Sequence, residues 1–118
     1  MNKEFIPYEQ ALELKELGFD DECFGVYYNP TQELFIGKTI NPFTKEIRTF
    51  APTYSQAFRW FREKYDLYTN VTRYKDEAEG EDKFLYYIDN GDIEEEFITY
   101  EEAELECLKQ LIEITKNK

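Results

Sequence analysis

The sequence predicts an α+β fold. Three amphipathic helices, in the order αββ-αββ-α, pack on one face of a mainly antiparallel sheet of about four to six strands, all within one domain over residues 1–118. Three observations lead there. With 118 residues, 42% of them hydrophobic and 18% aromatic, the chain has the size and apolar content of one ordinary core. Nearly the same pentad occurs three times: "PYEQA" begins at Pro7, "TYSQA" at Thr53 and "TYEEA" at Thr99, the starts lying 46 residues apart both times. Each pentad opens a stretch of helical period, and paired β-rich runs joined by turn residues lie between them.

Taken in order, "YEQALELKELGF" after Pro7 reads as the first helix. Proline suits a helix start but supplies no side-chain acceptor to cap it. The runs "ECFGVYYN" and "ELFIGKT", separated by "NPTQ", read as a hairpin, and "KEIRTF" as a further short extended segment. The second helix, "YSQAFRWFREKYDL", places Tyr54, Ala57, Phe58, Phe61 and Tyr65 on one face, with Trp60 about 100° round from Phe61 and outside that stripe. Such a tryptophan either meets a second layer or is exposed as an interface anchor. A second hairpin follows from "YTNVTRYKD" and "KFLYYIDNG" around "EAEGED", with "EEFITY" as a candidate third strand. The last helix, "YEEAELECLKQLIEI", aligns Tyr100, Ala103, Cys107, Leu108 and Leu111.

The recurrence has a mechanical reading. Thr53 with Gln56, and Thr99 with Glu102, fit a capping box, in which the threonine oxygen accepts from the third helical amide and the Gln or Glu reaches back to the cap's amide. The repeated alanines, Ala11, Ala57 and Ala103, let a helix approach its neighbour closely. The pentad is therefore expected to be a structural joint, with Tyr54 and Tyr100 buried beside Ala57 and Ala103.

Composition removes several chemistries. The chain has no histidine, so Ser-His and Cys-His nucleophile systems and histidine-based zinc sites cannot be assembled within it. Cys23 and Cys107 are isolated, and neighbours such as Phe24 and Leu108 point to packed thiols. Glycine-rich phosphate loops and serine elbows are missing from the sequence. Carboxylates are abundant, but nothing in the sequence selects one pair for acid–base work, and neither a catalytic residue nor a cofactor or metal ligand is assigned. No stretch reaches the roughly 20 apolar residues of a membrane span. The start "MNKEFIPYEQ" lacks the apolar run of a secretory leader, so a cytoplasmic protein is expected.

Charge is the most informative remaining signal. From Asp76 to Glu106 there are fourteen acidic residues against one basic residue, Lys83, so this segment alone carries −13 where the whole chain carries −12. A dense anionic surface attracts basic surfaces and repels nucleic acid, and the alternative is a solvated face that keeps a tyrosine-rich chain dissolved. Within "DNGDIEEE", from Asp89 to Glu96, the ligand spacing of a calcium loop is not met and "NG" reads as a turn. Glu94, Glu95 and Glu96, with Trp60, are the candidate partner-binding residues. Basic and aromatic residues do interleave at Arg59, Arg62, Lys64, Arg73 and Lys75 among Trp60, Tyr65, Tyr68 and Tyr74, as in clamps for single strands. Glu63, Asp66 and the overall charge oppose that use. The sequence thus favours a non-catalytic acidic interaction or regulatory protein with a basic or apolar protein partner. A second reading is a small-molecule-binding domain or enzyme that uses a carboxylate and tyrosines, from a set including Tyr27, Tyr28, Tyr74, Tyr86 and Tyr87, in a pocket.

The stretches "FIPYEQALELKELGFDDECFG", "APTYSQAFRWFREKY" and "TYEEAELECLKQLIEI" together resemble a family of small uncharacterised proteins of Bacteroides-type bacteria and their phages. The resemblance covers both ends and the middle helix. It implies a compact bacterial or phage domain in the cytosol, and it supplies no activity, cofactor or catalytic residue to carry over.

Overall fold

The computed structural model describes residues 4–37, 46–78, 80–89 and 95–117. Its elements are α1 (Tyr8–Glu16), β1 (Gly25–Tyr28), β2 (Glu33–Ile36), β3 (Arg48–Ala51), α2 (Tyr54–Tyr65), β4 (Thr69–Asp76), β5 (Glu81–Ile88) and α3 (Tyr100–Lys116). The α+β class and the three helices are as expected. The expected single sheet is instead two antiparallel sheets, β2-β1-β3 and β4-β5, and "KEIRTF" contributes β3, so the first half reads αβββ. Each hairpin finds further pairing close by in its own part of the chain. Residues 4–6 bond to residues 52–54 beyond β3, and Phe97 exchanges two 2.9 Å hydrogen bonds with Phe84 of β5. The chain divides into two compact units, Met1–Ala57 and Phe58–Lys118, with the division inside α2.

In the first unit, β1 and β2 form the expected hairpin, with Tyr28 opposite Glu33. The reversal needs Gln32 at φ 61°, and its amide bonds to the Tyr28 carbonyl at 2.7 Å. β1 is central, and α1 packs on β3. Ile6, Leu14 and Ala51 are fully enclosed, and Tyr27 is buried with its hydroxyl donating to the Ile6 carbonyl at 2.7 Å. Tyr27 therefore leaves the set of candidate pocket tyrosines, because it is buried and an acceptor inside the unit satisfies its one polar atom. Phe24 is a second correction. It is 60% exposed and Cys23 only half-buried, whereas Cys107 is enclosed as expected.

The three helix starts differ in how fully they close. At α3 the box is complete: the Thr99 hydroxyl accepts from the Glu102 amide at 3.1 Å, and the Thr99 amide donates to Glu102 Oε1 at 3.2 Å. At α2 the Thr53 hydroxyl accepts from the Gln56 amide at 3.2 Å, but the Gln56 side chain donates to the Glu22 carbonyl. Gln56 thus ties the helix start to the β1 approach instead of reaching back. Pro7 gives α1 no side-chain cap. Tyr54 is buried as expected, while Tyr100 is 41% exposed. The buried stripe of α3 begins one turn later, at Ala103, and continues through Cys107, Leu108, Leu111, Ile112 and Thr115. Side chains lean toward a helix's N-terminus, so the Tyr100 ring projects before the start of this stripe, where it meets Phe84 edge-to-face at 6.1 Å.

In the second unit β4 and β5 pair over eight residues each, from Thr69 opposite Ile88 to Asp76 opposite Glu81. Gly80, at φ +71°, lies in the turn within "EAEGED". At the other end Asp89 donates its amide to the Tyr68 carbonyl at 2.8 Å and accepts from the Tyr68 amide at 3.0 Å. "EEFITY" enters the sheet only through the Phe97 bridge. Among the described residues no helix is long and apolar enough to cross a membrane.

Candidate interaction face

The register of the β4-β5 hairpin sorts its side chains into two faces, because residues directly opposite one another project to the same side. Val71 with Tyr86 and Arg73 with Phe84 share one face; Asn70 with Tyr87, Thr72 with Leu85 and Tyr74 with Lys83 share the other. α3 lies against the first face: it contacts both strands, and its Tyr100 meets Phe84. Tyr86 stacks with Phe97 at 6.1 Å on the same side.

An open groove of about 680 Å³ is lined by Thr72, Tyr74, Leu85 and Tyr87 of the second face together with Arg73, Glu95 and Glu96. Its construction follows from one bridge. The Phe97–Phe84 bridge brings Glu95 and Glu96, the two residues before Phe97, to the edge of β5. On the hairpin itself Thr72 stands opposite Leu85, and Glu96 lines the same groove. Glu95 is close enough to add to the rise in the Tyr86 pKa, which comes first from burial and then from Cys107, Glu106 and Glu95. Both glutamates are exposed, so they stand at a wet margin while Leu85, Tyr74 and Tyr87 are half-buried. Arg73 is 3.8 Å from Asp82, which sets a carboxylate against its charge.

Of the residues selected from sequence, Glu95 and Glu96 thus meet in one groove, and Glu94 lies outside the described residues. Most of the "DNGDIEEE" turn, residues 90–94, lies outside them too. Trp60 is elsewhere and buried, at 8% exposure. Its ring meets Phe61 at 5.0 Å and Tyr65 at 5.4 Å edge-on, with Lys64 Nζ 5.2 Å above it. Trp60 is therefore not an exposed anchor. Sequence reading missed Thr72 and Leu85. Counting outward from the turn within "EAEGED" gives the pairing that places them between Tyr74 and Tyr87, so the signal was present.

One further acidic group stands apart from the groove lining. Burial, and next the charge of Glu101, push the Glu104 carboxyl on α3 up to about 7 from an ordinary 4.5. A raised folded-state pKa means that the fold favours the protonated acid. This contribution is complete below about 4.5 and is lost as pH rises through about 7. Glu104→Gln is therefore expected to stabilise the protein by about 1 kcal/mol near pH 8, after allowance for solvent screening of a half-exposed carboxylate, and to be neutral near pH 4.5. Urea midpoints of both proteins at the two pH values check this.

No family model, curated protein or solved structure matches the chain.

Proposed function

We propose that the protein is a non-catalytic interaction protein whose second unit engages a basic protein partner through the β4-β5 face. It is the kind of bacterial or phage cytoplasmic protein that its three recurrent stretches resemble. The observation that carries the reading is the meeting of Glu95 and Glu96 with Tyr74, Leu85 and Tyr87 in one groove, whose β5 side belongs to the segment that holds the acidic excess of the chain. Aromatic and aliphatic surface beside carboxylates suits a cationic side chain with an apolar stem, since the stem packs while the head pairs. Two of the basic and aromatic residues that suggested a clamp for single-stranded nucleic acid already have neighbours within the unit: Trp60 is enclosed and Arg73 lies beside Asp82. The enzyme reading needs a carboxylate withdrawn from water in the pocket; both groove glutamates are exposed, and Glu104, which burial does raise, is not part of the groove lining.

Affinity capture from host extract tests the proposal, comparing the wild type with a Glu95→Gln, Glu96→Gln variant at low and at high salt. The expected result is a specific protein recovered at low salt, lost at high salt and recovered at least about fivefold less by the variant, because neutralising a margin charge removes steering and pairing. Capture indifferent to both salt and the two substitutions contradicts it.

A further inference from the structure

We infer that the groove takes a short extended segment of the partner, lying along β4 and β5, with an arginine side chain crossing Leu85 to reach Glu96. The inference rests on the reading above and gives its occupant a chemistry. Tyr74 lies two residues beyond Thr72 on β4, and Tyr87 two residues beyond Leu85 on β5. The strands run in opposite directions, so the two tyrosines stand on either side of the Thr72–Leu85 pair. At about 3.4 Å per residue they are separated by roughly 13 Å along the hairpin, the length of about four extended residues. A groove of about 680 Å³ open to solvent has room for such a segment.

Charge and geometry together select the occupant. The groove lining sets Glu95 and Glu96 against Arg73, and its β5 side lies in the segment of net charge −13, which disfavours acidic peptides and polyanions. An arginine matches the lining feature for feature: its methylenes pack on Leu85, its planar head stacks on a tyrosine, and its fork of donors fits a carboxylate through two parallel hydrogen bonds. Phe97 already pairs with the Phe84 backbone on the outer edge of β5, so the segment lies across the face and is read through its side chains.

Calorimetric titration of the full chain tests this with three capped synthetic octapeptides: alternating arginine and leucine, alternating arginine and serine, and alternating glutamate and leucine. The arginine–leucine peptide is expected to bind, the arginine–serine peptide about tenfold more weakly, and the glutamate–leucine peptide not at all. Glu96→Gln and Leu85→Thr should each weaken the first peptide about tenfold. Amide chemical shifts of the wild type, which need no variant to fold, should move at Thr72, Leu85 and Tyr87. Equal binding of the two arginine peptides, or shifts that miss these residues, overturns the inference in favour of diffuse charge attraction, and absence of binding overturns it outright. If partner capture still depends on Glu95 and Glu96 in that event, the functional reading stands and only the arginine-containing segment falls.

Discussion

Replacing Phe61 by alanine is expected to lower the unfolding free energy by about 4 kcal/mol, in the range for a phenyl ring removed from a closed core. Phe61 has no exposed surface. Its ring meets Trp60 edge-on at 5.0 Å and Tyr65 at 6.1 Å, and its carbonyl accepts from the Leu67 amide, which turns the chain out of α2. The substitution leaves that backbone bond available but removes the ring against which two other aromatics pack, so the loss includes the apolar transfer and a cavity. Urea titration followed by far-UV circular dichroism measures it, and Trp60 fluorescence should shift toward that of a wetter indole before unfolding. A loss below about 1 kcal/mol would mean that the site collapses around the gap.

Gly25→Ala should cost about 2 kcal/mol, for the opposite reason, an atom too many. A Cβ at Gly25 would stand 2.8 Å from two ring carbons of Phe5 and 2.9 Å from the Ala51 carbonyl oxygen. The oxygen belongs to the strand paired with β1, and Phe5 is itself buried, so relief requires the sheet to shift. Gly37→Ala is the matched control, because a Cβ there meets nothing within 4 Å. Its urea midpoint should stay within experimental error of the wild type while that of Gly25→Ala falls.

Local signals in the chain were legible where one short-range rule decides the outcome. Thr99 and Glu102 announce a capping box and form one, and "NPTQ" and "EAEGED" announce reversals and make them. What escaped was decided at longer range. The periodicity of α2 put Trp60 off the main stripe, yet it is buried, with Lys64, Phe61 and Tyr65 of its own helix against the ring. Tyr100 has the same place in its pentad as Tyr54, but α3 begins to bury surface only at Ala103, so equal sequence positions have unequal surroundings. The count of sheets was hidden for a related reason. Hairpin signals report who pairs within a hairpin, and residues 4–6 and Phe97, which complete the pairing around each one, carry no local mark of it. For the candidate face, the acidic residues could be read directly, whereas the apolar row between the tyrosines depends on a register that only the turn fixes.

The central claim is that the recurring pentads build the fold while the β4-β5 face does the recognising. Partner capture by a Thr53→Ala, Thr99→Ala variant, set beside that of the Glu95→Gln, Glu96→Gln variant at a temperature where both are folded, tests it most directly. The threonine changes should each cost about 1 kcal/mol of stability, the usual loss for a removed cap, and leave capture at the wild-type level, while the glutamate changes leave stability nearly unaltered and reduce capture. Threonine variants that keep their stability and lose the partner, beside glutamate variants that retain it, would make the pentad the recognition site and contradict the account.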